Sequence, residues 1–340
     1  MPVKNGMPYL RETLASLETQ TYKGAQIIVW DNGSTDGTRE ELSKWIPGRI
    51  QGRVVFNRPM TLAQSLAAMT EESKSDYCAR IDADDIPHPE RLHKQAAFLD
   101  SHPDVAVVGT QMREIDSEGN ARPARKPYPV THDDIVNTLI FENPIGHPSV
   151  LLRRDAVLKA GNYRPVGPVN IEDYDLWLRI AVNDKMANLD EELTTYRVHS
   201  RSTTVESQAT NTLVSAVNKV ISDAGPSLYK CSPEKIHALR EHKLNNSWPV
   251  IRKIASSLAQ RAGQSVEQRL HQKSLLDSVQ MLIAPDDFRA TLEIASRRPD
   301  PIMLEHEWNH MPNFDSRQRL LHWRFNLLIA YRRKRQQRKF

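Results

Sequence analysis

Three carboxylates stand close together in the first quarter of the chain, in a run, residues 80–85, that reads RIDADD. They are Asp82, Asp84 and Asp85. The run follows a β-rich segment and precedes a proline, which predicts that it lies at the C-terminal end of a strand. Ligands bind at that edge of open α/β sheets, and hard oxygen ligands there suit Mg²⁺ or Mn²⁺ bridged to a substrate phosphate. A solvated acidic turn or helix cap is the alternative that this stretch alone leaves open.

A second polar cluster follows another predicted strand, residues 26–30. Residues 31–38 read DNGSTDGT and begin with Asp31. A carboxylate at the end of a strand can accept a hydrogen bond from a base or a ribose, and the glycines let the backbone turn tightly. The pattern therefore favours a nucleotide site, although an ordinary strand-to-helix turn has the same composition.

A third cluster, residues 170–179, reads NIEDYDLWLR. Its pattern predicts a helix with Glu172 and Asp173 in the first turn and with Trp177 on the inward stripe. A helix N-terminus favours a charged carboxylate, and an ionised Asp173 can take a proton from an acceptor hydroxyl. The structural alternative is a helix capped by Asn170, with the two acids complementing the helix dipole.

Two histidines complete the set of chemical candidates. His199 ends the β-rich run of residues 193–199, and His147 precedes the apolar run of residues 150–152. A lone histidine is usually structural, so neither residue carries an assignment by itself.

Short β-rich runs and helical patterns alternate through the first half of the chain. This alternation predicts an α/β fold with a mostly parallel central sheet that is flanked by helices on both faces. Residues 116–129 are polar and contain three prolines, which predicts a long loop or a small hairpin. The predicted strands are residues 26–30, 53–56, 77–81 and 105–110, and the predicted helices are residues 10–17, 61–70 and 89–99.

The strand signals stop near residue 205. We therefore predict an α/β domain over residues 1–205 and a helical C-terminal region over residues 206–340. The predicted helices of the second region are residues 210–224, 247–262, 266–283 and 317–331.

Composition limits the classes of function. The 340 residues carry 46 basic and 42 acidic side chains and a net charge of +4, a balance that argues against nucleic-acid binding by the whole chain. Cys78 and Cys231 are far apart, so neither a disulfide framework nor a thiolate metal site is supported, and a reducing compartment is expected. No apolar run reaches the roughly 18 residues that span a bilayer. We expect a cytoplasmic protein.

The basic excess is concentrated at the C-terminus. Residues 315–340 contain nine Lys or Arg against one acid, and Leu320, Trp323, Leu327 and Tyr331 recur at helical spacing. This pattern fits an amphipathic helix that docks on anionic lipid at the cytoplasmic face of the inner membrane. A terminal helix packed on the enzyme, with a solvated charged end, fits equally well.

Taken in order, the clusters resemble the family 2 glycosyltransferases, which have a GT-A fold, over residues 1 to about 203. The matching segments are MPVKNG at residues 1–6, VWDNGSTDGT at 29–38, DAD at 82–84, the Glu172–Asp173 pair and YRVH at 196–199. Five motifs in the right order are far more specific than any one of them. Family members generally have a full apolar strand before the Pro-Val segment, and the chain leaves almost no room for it, so we expect the natural start to lie upstream.

The resemblance implies a GT-A catalytic domain over residues 1–205, with nucleotide-sugar binding over about residues 1–115 and the acceptor side over about residues 116–205. It also implies a role for each matching residue. Asp84 ligates a divalent metal, Mn²⁺ or Mg²⁺, and His199 contacts the metal or the diphosphate. Asp173 is the general base and Glu172 supports the acceptor site, where His147 and Trp177 are weaker candidates. The residues that are expected to contact the nucleotide are Pro2, Val3, Asn5, Asp31 and Asp82.

The implied activity is an inverting transfer of a sugar from a nucleoside-diphosphate sugar, most commonly a UDP-sugar, to a hydroxyl. The implied acceptor is a glycan or a lipid-linked glycan in surface polysaccharide or lipopolysaccharide biosynthesis. Two other classes stay open: a nucleotidyltransferase, although the chain lacks a Gly-rich basic triphosphate loop near its start, and a non-catalytic nucleotide- or glycan-binding module.

Overall fold

The computed structural model describes residues 1–140, 142–200, 211–229 and 233. Residues Met1–Pro233 belong to one compact unit. Its strands are β1 (Pro2–Val3), β2 (Ile27–Asp31), β3 (Gly52–Val55), β4 (Tyr77–Ala79), β5 (Ile86–Pro87), β6 (Val105–Ile115), β7 (Leu151–Arg153) and β8 (Lys185–Arg197). Its helices are α1 (Leu10–Glu18), α2 (Thr38–Trp45), α3 (Leu62–Glu72), α4 (Arg91–Ser101), α5 (His132–Leu139), α6 (Arg154–Lys159), α7 (Glu172–Ile180) and α8 (Asn211–Tyr229).

The first sheet is parallel, with the strand order β1-β2-β3. Its central strand has the sequence IIVWD, in which Val29 and Trp30 are fully buried. A continuous apolar run of this kind is typical of a parallel strand that is covered on both faces. Leu10 and Leu14 of α1 and Leu42 of α2 belong to the same hydrophobic cluster as Val29. The C-terminal end of the central strand β2 is therefore buried, and Asp31 is its last residue.

The second sheet is mixed rather than parallel. Its order is β4-β7-β6-β8-β5, and the β6/β8 pair is parallel while the other three pairs are antiparallel. The predicted α/β fold with a parallel sheet and flanking helices is confirmed. Among the strands that the structure describes, parallel pairing occurs within β1–β3 and between β6 and β8. The two long strands of this sheet carry the elements that surround the acidic clusters.

Local sequence explains where several helices begin. Thr61 and Gln64 form a reciprocal capping box at the start of α3, and the Thr131 hydroxyl accepts from the Asp134 backbone N–H at the start of α5. The helix α7 begins after Ile171 without a side-chain cap. Capping of this helix by Asn170, one of the alternatives from the sequence, is therefore wrong, because Ile171 occupies the capping position.

The segment of residues 116–129 begins as a tight turn and ends on the sheet. The Asp116 N–H donates to the Asn120 carbonyl at 2.9 Å, which supports the small-hairpin interpretation. At the other end, Gln111 of β6 binds the Tyr128 backbone in both directions: its amide donates to the carbonyl at 2.9 Å and its oxygen accepts from the N–H at 2.8 Å. The segment is thus tied to β6 at both ends.

The helix α8 falls where residues 210–224 were predicted to be helical. It packs against α7, and the Tyr229 hydroxyl at its end donates to the Val136 carbonyl of α5 at 2.8 Å. The other helices predicted for the C-terminal region, and the basic tail, lie outside the described residues. Among the residues that the structure describes, no helix is both long and apolar enough to cross a membrane.

Candidate active site

The loops that follow β1 and β2 hold each other in place. The Asn5 N–H donates to the Ser34 hydroxyl at 2.8 Å, and the Asn5 side-chain oxygen accepts from the Thr35 N–H at 2.9 Å. One residue further along, the Gly6 N–H donates to the Thr38 hydroxyl at 2.9 Å. Because both loops leave the same edge of a parallel sheet, short polar side chains are sufficient to join them. Asn5 is thereby a structural member of this edge.

Asp31 is buried at this edge, and one of its carboxylate oxygens accepts no hydrogen bond from the described residues. Its Oδ1 accepts from the Ser34 N–H at 3.0 Å. Its Oδ2 is buried and has no hydrogen-bond partner among the described residues, and the nearest cation, Arg39 Nε, lies 3.8 Å away. A buried carboxylate oxygen without a donor is costly. The position therefore suits a ligand that supplies an N–H or O–H group.

Asp82 and Asp84 of the DAD run form a cluster with Asp85, and the oxygens of these three carboxylates lie within 4.8 Å of one another. Asp82 and Asp84 are about as exposed as each other, with 29% and 28% of their side chains accessible. Asp85 is fully buried, and its Oδ1 accepts from the Arg197 backbone N–H at 2.9 Å. Burial and the two neighbouring carboxylates raise the pKa of Asp85 well above its ordinary value. Asp82 and Asp84 thus face outward, while Asp85 joins this turn to β8.

Two residues from the end of β8 and beyond it contact the same turn. His199 Nε2 lies 2.8 Å from Asp84 Oδ2, and the His199 ring packs on Tyr9. The buried Arg197 guanidinium donates to the Asp84 carbonyl at 3.1 Å and forms an ion pair with Glu12 of α1. The structure therefore brings Asp84 and His199 together, as expected for two residues that were predicted to serve one metal.

A second cluster contains His147, Glu172 and Asp173, whose ligand atoms also lie within 4.8 Å of one another. His147 Nδ1 is 3.7 Å from Glu172 Oε1 and 4.0 Å from Asp173 Oδ2. On its other side, His147 Nε2 lies 3.2 Å from the hydroxyl of the buried Tyr163. Burial and the charge of Arg80 lower the pKa of His147 well below its ordinary value, so this imidazole is neutral at neutral pH.

The two adjacent acids of α7 differ in environment. Glu172 is 3% exposed, and burial together with the Asp173 charge raises its pKa to about 8. Asp173 is more accessible, with 16% of its side chain exposed. Burial raises the pKa of Asp173, while hydrogen bonds from the Tyr174 N–H and from Asn143, with the charge of Arg80, oppose that rise. Glu172 therefore holds the proton, and Asp173 is the more acidic of the pair.

The buried Arg80 stands between the two clusters. Its Nη1 donates to Asp82 Oδ2 at 2.5 Å. Its charge also acts on the titration of His147, Glu172 and Asp173 in the second cluster. Its backbone is anchored as well, because the Arg80 carbonyl accepts from the buried Arg91 guanidinium at 2.7 Å. One cation therefore offsets the negative charge of carboxylates from both clusters.

Comparison with known proteins identifies the chain. The family described as "Glycosyl transferase family 2" matches residues 1–161. The amylovoran biosynthesis glycosyltransferase AmsE of Erwinia amylovora is 33% identical over 193 residues, which cover 56% of this chain and 71% of AmsE. The O-antigen biosynthesis glycosyltransferase WbnJ of Escherichia coli is 34% identical over 202 residues, which cover 57% of this chain and 76% of WbnJ. The chain belongs to glycosyltransferase family 2.

Solved structures confirm the fold of this family 2 glycosyltransferase. Residues 1–349 of S. aureus TarS, in complex with UDP-GlcNAc, align with a TM-score of 0.52 and 16% identity, and the match covers 92% of each chain. GalNAc-T7 with UDP, GalNAc and Mn²⁺ aligns with a TM-score of 0.53 and 13% identity over 80% of this chain and 55% of that one. Both alignments support the predicted GT-A architecture.

The predicted site residues of the glycosyltransferase fall into three groups. Pro2, Val3, Asn5 and Asp31 lie at the edge of the first sheet, while Asp82, Asp84 and His199 form the first acidic cluster. His147, Glu172 and Asp173 form the second. Trp177 is fully buried and meets the His147 ring edge-on, with centroids 6.0 Å apart. Trp177, which was predicted for the acceptor site, is therefore a core residue that packs against His147.

Sequence reasoning missed three residues that the structure places in the site. Arg80 stands two positions before the DAD run. A basic residue that closely precedes three acids in the sequence was a signal that could have found it. Asn143 lies in the same segment as His147 and donates to Asp173, but an isolated asparagine carries no such signal. Tyr163 is likewise silent in the sequence, because its contact with His147 is made across the fold.

Proposed function

We propose that this family 2 enzyme transfers a sugar, with inversion, from a UDP-sugar to a hydroxyl group of a glycan or a lipid-linked glycan. The observation that carries the proposal is the arrangement of carboxylates around Arg80. One cluster offers exposed hard oxygens beside a nucleotide-type loop, and the other offers a single accessible aspartate on a helix N-terminus. A donor diphosphate requires oxygens that bind a metal, and an acceptor hydroxyl requires a base. The first cluster offers the oxygens and the second offers the base.

The nucleotide would lie along the edge of the first sheet. The free Oδ2 of Asp31 is suited to accept from the N–H of a uracil or from a ribose hydroxyl. Pro2 and Val3 of β1 are buried beside Trp30 and Asp31, so their contribution would come through the backbone and the shape of the wall. A pyrimidine fits this assignment, and the complex of TarS with UDP-GlcNAc gives a precedent in a related fold.

A divalent metal fits the first cluster. Asp82 and Asp84 offer accessible carboxylate oxygens, the donor type that Mn²⁺ and Mg²⁺ prefer. His199 adds an imidazole to the same group through its contact with Asp84 Oδ2. We assign Asp84 as the principal ligand, with Asp82 toward the ribose and metal and with His199 toward the metal or diphosphate. When bound, such an ion would neutralise charge that develops on the leaving diphosphate.

The second cluster supplies the proton acceptor. Asp173 accepts the proton of the acceptor hydroxyl as that oxygen forms its bond to the anomeric carbon. The bond from the anomeric carbon to the diphosphate oxygen breaks in the same step, and the diphosphate leaves with the electron pair. Attack from the opposite face inverts the anomeric centre. The protonated Glu172 and the neutral His147 line the acceptor side without adding negative charge beside the base.

Calorimetric titration with UDP, GDP and dTDP, with Mn²⁺ or with chelator, tests the donor site. We expect metal-dependent binding of UDP that is lost in Asp84→Ala and retained in Asp155→Asn. Asp155 is a suitable control because its side chain is 96% exposed. A folded wild-type protein that binds none of the nucleotides would overturn the transferase proposal.

The base is tested by turnover. We expect Asp173→Asn to bind UDP like the wild type but to lose about 10²- to 10⁴-fold in the rate of donor consumption, since general base catalysis contributes about that much. A variant that binds and turns over normally would remove Asp173 from the mechanism. If both Asp84 and Asp173 proved dispensable, a non-catalytic binding module would be the better description.

The biological setting is proposed from the relatives. AmsE is named for amylovoran biosynthesis and WbnJ for O-antigen biosynthesis. We infer a role in surface polysaccharide or lipopolysaccharide assembly, at the cytoplasmic face of the inner membrane, where a lipid-linked acceptor would be presented. Screening lipid-linked and free oligosaccharide acceptors with the nucleotide sugar that binds would test this inference.

A further inference from the structure

Each oxygen of the Asp173 carboxylate accepts a hydrogen bond from a different part of the chain. Oδ1 accepts from the backbone N–H of Tyr174 at 2.7 Å, which is a local contact within the first turn of α7. Oδ2 accepts from the Asn143 side-chain amide at 2.8 Å, across 30 residues of sequence. The first bond comes with the helix, whereas the second depends on where the segment of Asn143 is placed.

The orientation of the Asn143 amide follows from its two partners. Its Oδ1 accepts from the Ile145 N–H at 3.3 Å, so its NH₂ group is left to point toward Asp173. A flipped amide would set its oxygen against a carboxylate oxygen and would face the Ile145 N–H with a donor. An ionised carboxylate accepts only, so the observed orientation is the one that satisfies all three groups.

The backbone around Asn143 is held by a buried residue of β8. Asn188 is 1% exposed, and its amide donates to the Pro144 carbonyl at 3.1 Å and to the Pro129 carbonyl at 2.7 Å. Its own N–H donates to the Val130 carbonyl at 3.1 Å. Asn143 is therefore presented to Asp173 by a segment that is tied to the sheet.

We propose that Asn143 is a positioning residue for the general base: it orients the Asp173 carboxylate and stabilises its ionised, proton-accepting form. The catalytic consequence rests on the proposed function of Asp173. The physical effect of the hydrogen bond does not rest on it.

The reason is that an amide donor interacts more strongly with a carboxylate than with a carboxylic acid. Several groups set the balance around Asp173. The buried surroundings favour its neutral form, while Arg80 and the two hydrogen-bond donors favour its charged form. The neighbouring Glu172 of α7 holds its own proton, so it places no charge beside Asp173. His147 lies 4.0 Å away, and Tyr163 and Tyr128 also lie within electrostatic range. Removing the Asn143 amide takes away one donor to the carboxylate and leaves the burial that favours the neutral form of Asp173 unchanged.

Carbon-13 NMR titration of aspartate carboxyl groups tests the physical effect without any turnover. The Asp173 signal is assigned by its loss in Asp173→Asn. We expect its midpoint to rise by about one pH unit in Asn143→Ala, and by more in Asn143→Asp, which sets a second carboxylate against it. The control is Asn120→Ala, which removes a comparable amide donor from Asp116 in an exposed turn and should leave the Asp173 midpoint unchanged.

The same variants are then compared in UDP release from the UDP-sugar with water as the acceptor. We expect the acid limb of the rate to shift upward with the NMR midpoint, while the affinity for UDP stays as in the wild type. An Asp173 midpoint that is unchanged in a folded Asn143→Ala or Asn143→Asp protein would overturn the proposal. A shifted midpoint without any shift in the rate profile would instead count against Asp173 as the base, so the two failures are distinguishable.

Discussion

At the scale of single residues, Glu172 and Asp173 show how adjacent carboxyl groups acquire different chemistry. Both carboxylates stand in the first turn of α7, yet Asp173 receives two hydrogen bonds from N–H donors and Glu172 is almost wholly removed from water. Two acids that share a site cannot both ionise easily, so the proton stays on the one that is less well solvated. The division of roles follows from burial rather than from residue type.

The raised pKa of Glu172 makes stability depend on pH. Its folded-state pKa of about 8 exceeds its ordinary value of 4.5, so the folded protein holds this proton more tightly than the unfolded chain. The contribution is complete below pH 4.5 and is lost as pH rises to about 8. We therefore expect the free energy of unfolding of Glu172→Gln to rise relative to that of the wild type between these two pH values, by on the order of 1.4 kcal/mol for each pH unit.

Urea unfolding at pH 5, 7 and 9 measures this difference. The exposed Glu40 provides the control, because Glu40→Gln should give a curve parallel to that of the wild type. A gain from Glu172→Gln that is the same at all three pH values would contradict the assignment of the proton to Glu172.

At the scale of elements, the segments beside the second acidic cluster are held by amide side chains that project from two neighbouring strands. Gln111 of β6 holds the Tyr128 backbone, and Asn188 of β8 holds the Pro129 and Pro144 carbonyls. Primary amides can bridge backbone groups that lie beyond the reach of the sheet ladder. Long segments without regular structure thereby acquire fixed positions beside the acidic cluster.

Gly109 of β6 is required by this arrangement. A Cβ atom at this position would lie 2.2 Å from Asn188 Oδ1 and 3.0 Å from Ile145 Cγ2. We expect Gly109→Ala to lower the free energy of unfolding by about 1–3 kcal/mol, as is usual when a packed core receives an extra methyl group. Urea unfolding measures the loss. Gly48→Ala is the matched control, since no heavy atom lies within 4 Å of its added Cβ, and equal stability of the two variants would contradict the prediction.

At the scale of the whole molecule, the basic residues are unevenly distributed along the chain. The net charge of the chain is +4, but residues 315–340 alone contain nine basic residues and one acidic residue. A cluster of this kind attracts anionic lipid with about 1 kcal/mol for each basic residue near the surface. Membrane attachment would bring the enzyme close to a lipid-linked acceptor.

Liposome co-sedimentation tests the membrane hypothesis on the full chain. We expect the wild type to pellet with vesicles that contain anionic lipid and to be released by high salt, because surface charges are screened. A triple variant, Arg332→Gln with Arg333→Gln and Arg335→Gln, should pellet less. The control neutralises three exposed lysines elsewhere, Lys23, Lys159 and Lys219. Equal pelleting of the wild type and the tail variant would reject the lipid hypothesis.

Local sequence determined the family, the alternation of strands and helices and the main chemical residues, because each of these depends on short runs. Asp31, the DAD run and the Glu172–Asp173 pair could be identified where strands end and helices begin, since those positions are defined by spacing along the chain. The mixed pairing of the second sheet was not predictable in this way, because the direction of β4, β5 and β7 relative to β6 and β8 is set by crossovers.

Only the tertiary structure decided which side chains share an environment. Arg80 contacts Asp82 close by in sequence, yet it also acts on Glu172 and Asp173, more than 90 residues away. Asn143 meets Asp173 in a segment whose backbone Asn188 holds through the adjacent Pro144 carbonyl. The protonation of Glu172 likewise depends on burial, which is a property of the packed fold. Contacts between distant residues and the loss of water around a charge cannot be predicted from local spacing. The sequence therefore identified the chemical groups, whereas their contacts and protonation depend on the tertiary structure.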